Sequence, residues 1–402
     1  MPTLSELADE RFAQDPAFAY RAAHAHPGPG LFRTPTDDGL IATAHQTLTD
    51  LMKHPALEAQ HRTGRRAGAG AVGALARVDS YSPFFMNEPA HTPIAIATYR
   101  PMSPARNHSL IETITAIAER AVDDMLGCDD VVDLRRDYAH VIALDFWVRF
   151  LGLPPEAARL IGNCSAAIVP MLQFENSPEE VDAANRAAQT MRDYLEAHHR
   201  ALDGAQGGTF FQLFESGLAD SNWSEVSGNA AIAAAALTFD GIDSVAGMTA
   251  NVIFTCLSHP DQWALVENNP RLVHDAWREA VRFEPSFIGL HRGAHEDIDY
   301  EGVRIASGTN VLMAWGAANR DPRVFEDPDC FDIRRPKRRT LGFGGGSRIC
   351  KGRHLAMLEG EIALRVLLER LASIELLVDA PDWGRPGMIR AIQAIPARLT
   401  GK

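Results

Sequence analysis

Apolar residues recur along most of this chain at helical intervals. In "SLIETITAIAERAVDDML" (109–126), Ile111, Ile114, Ile117 and Val122 fall three to five residues apart, which predicts a helix with one apolar face. Similar periods predict helices over 134–152, 180–202, 225–258 and 270–283. After 297 the period changes. Ile298, Tyr300, Val303 and Ile305 alternate around a Glu-Gly turn, and "SGTNVLMAW" follows a second glycine turn, which predicts a small antiparallel sheet. The Gly- and Ala-rich stretch 62–77 reads as a loop or short helix, and "DGAQGG" (203–208) as a break between two helices. There is no repeat, low-complexity linker or shift in composition. The pattern is that of one mainly α domain spanning 1–402, with a small β-rich lobe.

Composition narrows the choice of partners. At 46% hydrophobic, 402 residues can bury a sizeable core. A net charge of -13 argues against nucleic acid. The five cysteines are odd in number and include no C-x-x-C, which predicts a reducing cytoplasmic setting without disulfides. The acidic start, "MPTLSELADERFAQD", resembles neither a signal peptide nor an anchor. The most apolar run, "AAIAAAALTF" (230–239), falls short of the roughly 20 residues that span a bilayer, so no membrane partner is expected.

Chemistry concentrates in "LGFGGGSRICKGRHLAMLE" (341–359). Gly344, Gly345 and Gly346 precede a single thiol, Cys350, and then a helix carries Leu355, Leu358, Ile362 and Val366 on one face. A metal-binding thiolate needs positive potential, which turned backbone N–H groups and a helix N-terminus supply. A buried structural cysteine remains an alternative on these residues alone. A phosphate loop fits less well: G-x-x-x-x-G-K-[ST] is absent, and Ile349 stands where G-x-G-x-x-G needs its last glycine.

Three motifs carry a resemblance. "FGGGSRICKG" (343–352) fits F-x-x-G-x-R/H-x-C-x-G at every constrained position; "EAVR" supplies Glu279 and Arg282 one turn apart; "PDCFDIRRP" (328–336) supplies Arg335. In these the chain resembles the cytochrome P-450 family over nearly its whole length. The resemblance implies a mainly α, single-domain fold with haem b buried between a long distal helix and the cysteine loop. It makes Cys350 the axial thiolate of the iron, flanked by Phe343 and Gly352. It implies that Arg348, Arg292 (in "GLHRGAHED") and His91 (in "NEPAHTPIAIATYRPMSP") meet the haem propionates. The last segment departs from the family's H-T-R-x-R: Pro93 and Ala95 replace both basic residues, leaving Arg100 as a candidate substitute.

"FDGIDSVAG" (239–247) resembles the family's [AG]-G-x-[DE]-T, with Gly241, Asp243 and, in place of threonine, Ser244. In the family the acid and alcohol relay protons as dioxygen is activated, and the glycine lets the helix bulge. A bond from Ser244 back to the carbonyl of residue 240 is the simpler alternative. Asp240 stands where Ala or Gly is usual, which implies contact with a polar or cationic substrate group, a changed proton relay, or a local cap. Segments 78–87, 168–175, 285–291 and 387–395 are implied to face the substrate, with His291 and Gln393 as polar handles.

The implied function is a monomeric monooxygenase of bacterial specialised metabolism. It would use dioxygen as co-substrate to oxidise a small apolar or aromatic molecule. No flavin or iron–sulfur segment is recognisable, so NAD(P)H electrons would come through a separate ferredoxin and ferredoxin reductase. The basic run "RRPKRR" (334–339) is a candidate docking face for an acidic ferredoxin. Two rivals remain. One is oxidative coupling or ring closure of an aromatic substrate such as a cyclic dipeptide. The other is a non-catalytic haem sensor or carrier, against which Asp243 and the Ser244 hydroxyl argue.

Overall fold

A computed structural model describes residues 1–35, 39–60, 73–128, 131–202, 209–221 and 230–402. Most of the predicted 62–77 element, the 203–208 break and the start of the 225–258 helix lie outside the described residues. The chain forms two compact units, each assembled from separated segments: 1–60, 247–350 and 374–396 in one; 61–246, 351–373 and 397–402 in the other.

The first unit is built on a five-stranded sheet in the order Leu31–Arg33, Leu40–Ala42, Asn310–Met313, Leu290–Ala294, Leu57–Ala59. Here the structure differs from the sequence reading. Ile298–Tyr300 and Val303–Ile305 make the expected hairpin, but Asn310–Met313 does not join it. That strand runs parallel to Leu40–Ala42 and antiparallel to Leu290–Ala294. Its Val311 and Met313 are fully buried, and alternation specifies a buried face without naming the partner strand. Arg292 sits mid-strand, opposite Val311 on one side and Ala59 on the other, so neighbours on both sides fix its backbone. The helix Val273–Phe283 packs Val273, Ala276, Trp277, Ala280 and Val281 inward.

The second unit is a helical bundle. Pro104–Leu126 buries Ile114, Ile117, Ala118, Ala121, Val122 and Met125 against Arg353–Arg370 and Val141–Phe150. Ile111 lies one turn before this stripe and stays exposed. The predicted 134–152 helix is two elements: a π-helical turn, Leu134–His140, then Val141–Phe150. The Tyr138 hydroxyl donates to the Ala363 carbonyl at 2.7 Å, pinning that turn to Arg353–Arg370. Ala157–Ile168 packs on Pro178–Ala201, whose start is fixed by a Ser177–Glu180 capping box.

The helix Ala230–Leu257 crosses from the second unit into the first between Ala246 and Gly247. The 230–239 run is therefore only part of a 28-residue helix, long and apolar enough to cross a membrane by length and composition alone. Of its most apolar window, 83% is buried inside the protein, where it serves as a core helix.

Candidate functional site

In the first unit the cysteine loop closes on itself. The Cys350 N–H donates to the Phe343 carbonyl at 3.0 Å, and the Gly344 N–H to the Leu341 carbonyl at 2.8 Å. Gly344 and Gly346 have φ of 68° and 66°, a region that side chains rarely adopt. At Gly346 space forbids a side chain as well: a Cβ there would lie 2.4 Å from the Met52 carbonyl oxygen. The loop is therefore seated on the chain that follows helix His45–Leu51, and that seat fixes where the thiol is delivered. Three residues after Cys350 the helix Arg353–Arg370 begins, N-capped by Gly352 with an ordinary φ of -84°.

The same unit gathers positive charge. Arg292 is buried, and its guanidinium donates to the His291 carbonyl at 2.8 Å. Among the described residues it has no carboxylate partner. Burial, and after it the charge of Arg348, pulls its pKa down to about 10. The structure thus brings together two of the three arginine and histidine positions expected to meet propionates. The buried indole N–H of Trp315 has no hydrogen-bond partner among the described residues, and its ring adjoins Gly344.

Beneath this loop Glu279 holds two arginines. Arg282 donates to it at 2.7 and 2.9 Å, Arg335 at 3.0 Å, and the Asp332 N–H at 3.2 Å. The two arginines also donate to the carbonyls of Asn319, Glu326, Asp327, Pro328 and Cys330. Glu279 and Arg282 are at most 1% exposed, so "EAVR" is a core feature. Segments 285–291 and 387–395 meet here: Ile288 donates to Met388, Arg390 to Ser286, and the Asn251 amide donates to the Arg390 carbonyl. The Gln393 amide donates to the Ala391 carbonyl.

In the second unit the 240–244 stretch corrects one expectation. Ala230–Leu257 is α-helical throughout, with no bulge at Gly241. A Cβ at Gly241 would lie 2.2 Å from Trp147 Cζ2. The glycine makes room for that indole, which explains it without reference to a cofactor. Asp243 is buried; its Oδ2 accepts from Ser165 Oγ at 2.6 Å, and its Oδ1 lies 4.0 Å from Arg135. The i→i+5 bonding of a π-turn brings residues five apart towards one face, and Arg135 and His140 both feel the charge of Asp243. Burial lowers the pKa of both groups. Ser244 Oγ donates back to the Asp240 carbonyl at 2.5 Å, and the Asp240 carboxylate accepts from Ser82 Oγ at 2.5 Å. Ser82, Ser165, Arg135 and Trp147 carry no motif that would have marked them in the sequence.

His91 also lies in this unit, buried, with Nδ1 3.2 Å from Glu88 Oε1. Pro93 and Ala95 point inward on the same helix, and Arg100 is ion-paired with Asp220.

A family model for cytochrome P450 matches residues 168–376. The chain belongs to the cytochrome P450 family. The biotin biosynthesis cytochrome P450 of Bacillus subtilis (strain 168) is 27% identical over 94% of each chain. The cytochrome P450 monooxygenase PikC of Streptomyces venezuelae is 28% identical, covering 96% of this chain and 92% of that one. The 6-deoxyerythronolide B hydroxylase of Saccharopolyspora erythraea is 29% identical over 78% and 76%. The fold agrees with a solved structure of P450BioI in complex with an acyl carrier protein carrying hexadec-9Z-enoic acid. There the TM-score is 0.89 at 24% identity, covering 97% of this chain and 100% of that one. Membership in this P450 makes haem and dioxygen the working groups of an oxidoreductase.

The residues present fit haem. The loop offers one thiol on a rigid turn, which would suit a haem iron whose in-plane ligands a porphyrin would supply. Arg292, buried and without a carboxylate partner among the described residues, and the nearby charge of half-buried Arg348 suit an anionic group such as a propionate.

Proposed function

We propose that this P450 is a monooxygenase in which Cys350 ligates haem iron and Arg292, Arg348 and His91 hold the propionates. The observation that carries the reading is the glycine-bent loop delivering Cys350, in the same unit as the Arg292–Arg348 pair. When bound, the haem supplies the redox chemistry that activates dioxygen. Phe343 and Gly352 bracket the thiol in the chain, and Gly346 fixes its approach. Glu88 orients the His91 ring through Nδ1, and Nε2 is the atom that would meet a propionate. Asp243, with Ser165, Arg135 and His140 around it, is the acid that takes up and passes protons; Ser244 is the alcohol beside it. Leaving its bond to the Asp240 carbonyl is the step that puts the Ser244 hydroxyl to use.

Electrons come from NAD(P)H through a separate ferredoxin and its reductase. Exposed Arg334, Lys337, Arg338 and Arg339 support docking of an acidic partner, while Arg335 is spoken for by Glu279. The substrate is a small apolar or aromatic, natural-product-like molecule, in keeping with the hydroxylase and monooxygenase among the relatives. Oxidative coupling is a second reading, and one observation favours it: the Ser244 hydroxyl is bonded to backbone rather than standing ready to deliver a proton. Turnover with a ferredoxin system under ¹⁸O-labelled dioxygen tests the set. A product carrying one labelled oxygen supports monooxygenation. A product two hydrogens lighter and unlabelled supports coupling, and NAD(P)H consumption no faster than without the chain supports a sensor or carrier.

A further inference from the structure

Residues 74–86 form a short helix, Ala74–Asp79, followed by overlapping turns. In those turns the N–H groups of Tyr81, Ser82 and Phe85 donate to the carbonyls of Val78, Asp79 and Ser82. Such turns hold local shape but do not fix the segment to the rest of the protein. Two side chains do. At the start, the Asn185 carboxamide oxygen accepts from the Leu75 N–H at 3.2 Å. At the far end, Ser82 Oγ donates to the Asp240 carboxylate at 2.5 Å across 158 residues of sequence, and accepts from the Phe84 N–H at 3.3 Å. Ser82 has no exposed surface, so water cannot readily replace a lost partner.

Asp240 is therefore attached through both its side chain and its backbone. Its carboxylate takes Ser82, and its carbonyl takes the hydroxyl of Ser244. On the adjoining face of the helix, Gly241 is pressed against Trp147, which limits rotation of the helix at this point. We infer that Asp240 is a positioning residue. It fastens the 79–86 segment, with Phe84, Phe85 and Met86, to the long helix beside Ser244, and so sets the aromatic surface that a substrate meets. The carboxylate is committed to a serine, so no cationic group is required of the substrate. The role of the segment in substrate contact rests on the monooxygenase reading; the tether itself does not.

The test compares the holoenzyme with Ser82→Ala, Ser82→Thr, Asp240→Ala, Asp240→Asn and the double alanine variant. Two readouts are used: amide hydrogen exchange of residues 79–86, and binding of 4-phenylimidazole. A charge-assisted bond at a buried site predicts that either single alanine speeds exchange about ten-fold or more. The double variant should be no faster than the single ones, because both remove the same link. Ser82→Thr and Asp240→Asn keep a donor and an acceptor, so they should stay within about three-fold of the parent. Affinity for 4-phenylimidazole should follow the same order. Unchanged exchange in Asp240→Ala overturns the tether. So does an Asp240→Asn variant that behaves like Asp240→Ala while Ser82→Ala is silent, since the charge would then serve another partner. If the parent lacks a thiolate-type carbon monoxide band, the monooxygenase reading fails while the exchange comparison still stands.

Discussion

The cysteine loop with its Glu279 cluster and the 240–244 stretch of the long helix are held in different ways. Glu279 accepts from two arginines and a backbone N–H, and those arginines also donate to the carbonyls of Asn319, Glu326, Asp327, Pro328 and Cys330. Each named group of the 240–244 stretch instead has a hydroxyl at its key contact: Ser82 on Asp240, Ser165 on Asp243, and Ser244 on the backbone. Many charge-assisted bonds converging on buried atoms make a region that either forms completely or fails. Hydroxyl bonds of this kind make a region that can be retuned while the fold survives. Under the proposed function, the first would hold the cofactor and the second would choose the substrate and move protons.

Breaking the first region should have the largest effect. Glu279→Ala leaves two buried guanidinium groups without their carboxylate, a loss of roughly 3–5 kcal/mol. Chemical denaturation should show that loss together with failure to retain haem. Full haem loading with parental stability would mean that the cluster is dispensable.

Gly241→Ala probes the other region for rigidity. A methyl group placed 2.2 Å from Trp147 must displace the indole or the helix, which costs about 1–3 kcal/mol. Thermal unfolding reads this directly, and Trp147→Phe in the same chain should recover part of it. An unchanged melting midpoint would show that the helix yields freely there.

Glu359 offers a pH-dependent contrast within the second unit. It is buried on Arg353–Arg370, neither carboxyl oxygen has a hydrogen-bond partner among the described residues, and burial raises its pKa well above 4.5. The folded state thus holds a proton that the unfolded chain releases. The stability associated with it is fully present below about pH 4.5 and declines as pH rises towards the folded value. Glu359→Gln removes that dependence. Its stability relative to the parent should grow with a slope of about 1.4 kcal/mol per pH unit above 4.5. A difference that is flat with pH would mean the carboxyl is solvated or paired.

The smallest structural effect is expected at Ser244. Ser244→Ala deletes a back-bond of a kind that slightly bends helices, so stability should change little. The fraction of electrons lost as hydrogen peroxide should rise, and Ser244→Thr should restore coupling. Equal coupling in parent and alanine variant would mean that another group delivers the proton.

What the sequence disclosed follows the same division. The constraints on Cys350 lie within ten residues, and Glu279 and Arg282 are one turn apart, so local spacing carries them. The helices were legible wherever an apolar stripe faced the core, as in Pro104–Leu126. Ser82 and Asp240 are 158 positions apart, and Ser165 and Asp243 are 78 apart; neither pair leaves a local pattern. The π-turn at Leu134–His140 was hidden because its apolar residues satisfy an α period nearly as well. Gly241 was read through a motif when its physical cause, the Trp147 indole, lies nearly a hundred residues away.

The most direct measurement is the absorption spectrum of the reduced carbon monoxide complex, recorded for the parent and for Cys350→Ala at equal haem loading. The parent should show the long-wavelength Soret band typical of thiolate ligation, and the variant should lack it. A variant that keeps that band would contradict Cys350 as the ligand, and with it the function built on the loop.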